Sequence, residues 1–118
     1  MSYIDSYVVP VPKKNLAAYR KLARRAGSVW KEFGALEYVE CVADDVKPGK
    51  LTSFPQSVKL KPDEVVVFSY VVFASRAARD RINKKVMSDP RLAMGDLKSM
   101  PFDAKRMFWG GFKPVVTL

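Results

Sequence analysis

The sequence predicts an α+β domain, a two-layer sandwich with element order strand–helix–strand–strand–helix–strand. Three observations carry this. Two long stretches repeat apolar residues at helical spacing. Four stretches rich in Val, Ile, Tyr and Phe fall around them in βαββαβ order, the ferredoxin-like split βαβ arrangement. One of those strands, Glu64 to Phe73, is apolar on both faces. A strand covered on both sides is central. Helices of a two-layer domain cover only one face, so the second face calls for another sheet, and a homodimer is expected. The length, 118 residues, is that of one domain spanning 1–118.

Tyr3 to Val11 reads as the first strand, ended by Pro10 and Pro12, with Tyr3, Asp5, Tyr7 and Val9 on one face. A helix follows over about Lys13 to Phe33. Leu16, Tyr19, Ala23, Ala26, Trp30 and Phe33 form its apolar stripe, and Arg20, Lys21, Arg24, Arg25 and Lys31 fall mostly off it. Gly34 is placed as the left-handed residue closing this helix, and Gly27 interrupts its interior. Ala35 to Ala43 is the second strand, with Leu36, Tyr38, Glu40 and Val42 on one face and Glu37, Val39, Cys41 and Ala43 on the other. Residues 51–60 are ambiguous: Ser53 before Phe54 and Pro55 suits the cap of one helical turn, the favoured reading, and Ser57 to Leu60 suits a strand. After the central strand, Ser75 caps a helix to about Met87 whose inward positions are Ala78, Ile82 and Val86. Asp89-Pro90 opens a short helix to about Leu97, and Met107 to Phe112 is the last strand, with Gly110-Gly111 permitting a bulge or close backbone approach.

Composition excludes several chemistries. There is no histidine and one cysteine. This removes Ser–His and Cys–His nucleophiles, the usual zinc and haem ligand and any internal disulfide. No glycine-rich phosphate loop or metal-ligand spacing is present, so no cofactor and no metal are expected. No apolar run approaches the length of a membrane span, and the N-terminal stretch does not read as a secretory signal, so a cytoplasmic protein is expected. The formal charge of +9 attracts anions without naming a partner.

The blocks KEFGALEYVECVADDV, GKLTSFPQSVK, FSY with SR nearby, NKKVMSDPR and MPFD-KRM-GGF resemble the YbaA-like family of uncharacterised bacterial proteins over nearly the whole chain. The resemblance implies a ferredoxin-like subunit that dimerises through its sheet into a dimeric α/β barrel. It implies no activity.

Candidate site residues follow from position. If the face of Asp5 and Tyr7 coincides with that of Tyr38 and Glu40, these four give a partly polar, tyrosine-rich lumen inside the dimer barrel, suited to a small molecule. The alternative is hydrogen bonding across the dimer interface. Asp103 and Arg106 suit either a charge-assisted pair at a pocket mouth or a turn that holds the start of the last strand, the latter favoured. Asn83, with Asp89 and Arg91, faces a ligand or closes a helix end, again the latter favoured. Trp30 and Trp109 read as core anchors before ligand stackers, and Cys41 as a small buried hydrophobe.

Three functions remain open. The first is a homodimeric domain that binds a small molecule. The second is an enzyme resembling cofactor-independent monooxygenases of this barrel type, acting on an aromatic molecule with Tyr7, Trp30, Asn83 and Trp109 around it and Asp5 or Glu40 as base. The third is RNA contact through the basic helices, disfavoured because the strand signature of RNA-recognition domains is absent.

Overall fold

The computed structural model describes residues 2–92 and 99–118. Its elements are β1 (Tyr3–Pro12), α1 (Leu16–Glu32), β2 (Glu37–Val42), α2 (Phe54–Ser57), β3 (Glu64–Phe73), α3 (Arg76–Met87) and β4 (Phe108–Phe112), with short 3-10 turns at Lys13–Asn15 and Pro90–Leu92. The strands form one antiparallel sheet in the order β2-β3-β1-β4. The βαββαβ order and the central position of Glu64–Phe73 are therefore present. The helix expected after Asp89-Pro90 is a 3-10 turn as far as Leu92, with Asp89 Oδ1 accepting from the Arg91 amide at 2.8 Å. Its remainder, to Leu97, lies outside the described residues.

Local chemistry explains the boundaries. Ser53 and Ser75 accept from the amides of Gln56 and Ala78, which caps α2 and α3. The ambiguous segment thus resolves in favour of the helical turn. Gly34 closes α1 at φ +117°, a conformation costly for any residue with a Cβ. β1 continues through Pro10 to Pro12, further than expected. β4 pairs only Ile4–Val8, so both prolines lie on a stretch of β1 with a strand on one side only, where a missing N–H is tolerated.

The register assigns every strand residue to a face. Tyr3, Asp5, Tyr7, Val9 and Val11 of β1 lie with Val67, Ser69, Val71 and Phe73 of β3, Tyr38 and Glu40 of β2, and Trp109 and Gly111 of β4. α1 and α3 cover this face. Val29, Trp30, Val71, Phe73, Ala78, Ile82 and Val86 form one core cluster, and Val9, Val11, Tyr19, Ala23 and Val67 a second. Gly27, costly in a helix interior, has its reason here. A Cβ at this position would stand 2.5 Å from the Tyr38 ring.

The opposite face carries Ile4, Ser6 and Val8 with Val66, Phe68, Tyr70 and Val72. The expectation that only a second sheet could cover it needs correction. The chain's own 43–60 segment folds over one end, where Val58 packs with Val8 and Val66, flanked by Ala43, Leu60 and Phe68, and Phe54 meets Phe68 edge-on at 6.2 Å. The β4 edge of this face is left more open, with Phe108 46% and Phe112 60% exposed. Cys41 is also on this side and is exposed, not buried as expected, because β2 is an edge strand.

Candidate functional site

Alternation along antiparallel strands brings side chains into rows across the sheet. One row on the helix-covered face runs Trp109, Tyr7, Ser69, Glu40. The next runs Gly111, Asp5, Val71, Tyr38. The faces of Asp5–Tyr7 and Tyr38–Glu40 therefore do coincide. The lumen expected between two sheets must nevertheless be corrected, because these residues point at the helices of their own subunit.

Between this face and α1 lies a cavity of about 210 Å³. Val9, Leu22, Ala23, Ala26 and Trp30 give it apolar walls, and Phe102 and Met107 line it from the segment before β4. Met87, 71% exposed, stands at its rim. Its polar groups are Tyr7, Ser69 and a hydrogen-bonded triad. Tyr19 donates to Glu40 Oε1 at 2.8 Å, and Tyr38 donates to Oε2 at 2.5 Å. Burial first, then the Glu40 charge, pushes both phenols far above their ordinary value. Burial and the Asp5 charge do the same to Tyr7. These tyrosines stay neutral donors across the physiological range. No cation among the described residues pairs with Glu40.

Beneath the second row is a buried polar network. Asp5 is fully buried and accepts from Arg79 Nε at 2.9 and 3.2 Å and from Asn83 Nδ2 at 3.0 Å. Asn83 Oδ1 in turn accepts from the Trp30 indole at 2.9 Å. The Arg79 guanidinium lies 5.1 Å from the Tyr3 ring centroid and 5.7 Å from that of Trp109. Gly111 makes the room, since a Cβ there would overlap both Arg79 and Tyr3. This network holds α1 and α3 on the sheet. Asp5 and Asn83 are saturated by it and do not line the cavity, so the enzyme reading loses Asn83 and one of its two bases.

Trp109 is 53% exposed and stacks on Tyr7 at 5.8 Å and 18°, in place of the core position favoured by the sequence. Trp30 is a core anchor as expected. Asp103 and Arg106 fall outside the cavity. Arg106 donates to Asp103 at 2.8 Å, to both oxygens of Glu64 at 2.7 and 2.6 Å, and to the carbonyls of Val58 and Lys59. It ties the segment before β4 to the start of β3, the structural alternative weighed above. The sequence reading missed Tyr19, Ser69, Arg79 and Glu64 as members of these clusters. Tyr19 carried a usable signal, because a tyrosine on a buried helical stripe needs a partner for its hydroxyl.

Among the described residues no cluster of His, Cys, Asp and Glu is able to hold a metal ion, and no helix is long and apolar enough to cross a membrane. The cavity is an apolar slot with one carboxylate and neutral phenols at one wall.

Comparison with known proteins agrees with the sequence and the fold. The profile of a family described as "Protein of unknown function (DUF1428)" matches residues 2–104. The uncharacterised protein YbaA of Escherichia coli strain K12 is 49% identical over 117 residues, 98% of either chain, and that of Shigella flexneri matches to the same extent. Among solved structures, protein Atu4242 from Agrobacterium tumefaciens superposes with a TM-score of 0.56 at 16% identity, covering 96% of this chain and 93% of that one. Rv0793 from Mycobacterium tuberculosis gives 0.53 at 12%, covering 99% and 98%. A dimeric ferredoxin-like protein from an uncultured marine organism gives 0.52 at 9%, covering 100% and 98%. At these identities the solved structures show the fold alone.

Proposed function

For a chain that belongs to the DUF1428 family of proteins of unknown function, we propose a small-molecule-binding role centred on the cavity between the sheet and α1. The observation that carries this is the Tyr19–Glu40–Tyr38 triad set in an otherwise apolar wall. A carboxylate with two phenol donors and no cationic partner among the described residues retains acceptor capacity for a donor on a ligand. The volume fixes the size class. An apolar cavity of about 150 Å³ takes benzene, so about 210 Å³ suits one ring with a short substituent.

The subunit acts as a homodimer in this reading. The open sheet face with Phe108 and Phe112 is the surface that a second copy covers, and one fold neighbour is described as dimeric. The described lining of the cavity lies on the helix-covered face, away from that contact.

Trp30 lines the cavity and reports on it. Single-ring alcohols, phenols and amines should change its fluorescence and raise the melting temperature of the wild type. Glu40→Gln, which removes the charge and keeps the shape, should weaken compounds with a donor group. No response to any member of such a panel, or equal responses in Glu40→Gln, refutes the reading.

A further inference from the structure

On the other side of the triad lies a second, larger concavity, a groove of about 670 Å³ between α1 and the edge strand β2. Tyr19, Ala23, Tyr38 and Glu40 line both it and the inner cavity, so the two share one wall. Ala23 contributes a single methyl to that wall. The groove's floor is apolar at Val42 and Val67, and its rim is basic. Arg20, Arg24 and Lys31 project from α1, about one, two and four turns along the same flank as Tyr19 and Gly27.

The charges in the groove are unbalanced. Three cationic side chains stand against one carboxylate, Glu40, which already accepts from two phenols. Lys31 donates to the Leu36 carbonyl at 2.8 Å. The Arg20 and Arg24 guanidinium groups make no hydrogen bond or ion pair with any described residue. They stand at an i,i+4 spacing, which sets two forks side by side on a helix. A guanidinium pair of this kind recognises a carboxylate or another planar oxyanion.

We propose that the groove is the anion-binding half of the same site, and that the ligand is an arylalkyl carboxylate with a hydroxyl on its chain. Its ring occupies the inner cavity, its short chain passes over Ala23 with the hydroxyl donating to Glu40, and its carboxylate lies against Arg20 and Arg24. This rests on the reading of the cavity given above and narrows its ligand class. It also gives the chain's positive charge a local use, since the rim lies at the approach to the apolar slot.

The test compares 3-phenyllactate with its neutral counterpart, the alcohol 3-phenylpropane-1,2-diol, on the full-length protein, by titration calorimetry and Trp30 fluorescence. The wild type should bind the acid about tenfold more tightly than the alcohol at low salt, the equivalent of about 1.4 kcal/mol. Raising the salt to about 0.5 M should remove most of that preference. The Arg20→Gln/Arg24→Gln variant replaces exposed side chains and should fold normally. It should bind the alcohol as the wild type does and lose the preference for the acid. Equal binding of acid and alcohol by the wild type, or an unchanged preference in the variant, overturns the anion site and leaves the cavity reading standing. Failure of both probes overturns both readings. Displacement of the acid by a short single-stranded RNA, dependent on Arg20 and Arg24, also overturns it and assigns the groove to nucleic acid.

Discussion

Removal of Asp5 is the sharpest test of how this subunit is held together. The carboxylate is fully buried, accepts twice from Arg79 Nε and once from Asn83, and through Asn83 reaches the Trp30 indole. Asp5→Ala leaves a guanidinium side chain, itself only 14% exposed, without its main partner and leaves an amide donor unmatched. Breaking one side of a buried ion pair costs about 3–5 kcal/mol. Domains of this size hold about 5–15 kcal/mol in total, so the variant should fold with much of its margin gone. The melting midpoint should fall by about 10–20 °C. Arg79→Met should cost a similar amount, because it strands the carboxylate, though its flexible apolar chain still packs between Tyr3 and Trp109. The double variant removes both charges and should be far less damaged than the sum of the two. Urea unfolding of all four proteins at one fixed concentration closes the cycle, with an expected coupling of at least about 1.5 kcal/mol. Additivity within about 0.5 kcal/mol would show that the pair carries no mutual stabilisation and that Arg79 is held by Asp80 and its aromatic neighbours.

Three further outcomes follow from other contacts. Gly27→Ala gains about 1 kcal/mol of helix propensity, yet its methyl meets the Tyr38 ring, and overpacking costs about 1–3 kcal/mol; net destabilisation by thermal melt is expected, and a more stable variant would refute the contact. The Glu64 carboxyl is held below its ordinary value of 4.5, chiefly by the Arg106 hydrogen bonds. A depressed folded-state value means that this contribution is complete above about pH 4.5 and is lost as the pH falls through the lower one, so Glu64→Gln should flatten the acid limb of the stability profile; an unchanged limb counts against the clamp. Phe112→Lys alters a side chain that the subunit leaves 60% exposed. It should spare the fold and weaken the dimer in sedimentation velocity at micromolar concentration, and a wild type that sediments as a monomer there would refute the dimer.

The amino-acid pattern alone determined the element order, the central strand, the cap at Ser75 and the closing Gly34. Each of these depends on residues a few positions apart, where period, capping chemistry and backbone sterics act locally. Strand period also settled that Asp5 shares a face with Tyr7, and Tyr38 with Glu40. Only the tertiary structure decided which way those faces look, since parity separates two sides of a strand without saying which one the helices cover. It likewise turned Asn83 and Asp5 into a saturated network, drew Arg106 to Glu64 across the chain, laid residues 43–60 over the open sheet and left Trp109 half outside. Those outcomes depend on pairings between residues far apart in sequence, whose partners are fixed by how helices and sheet dock and by no local rule.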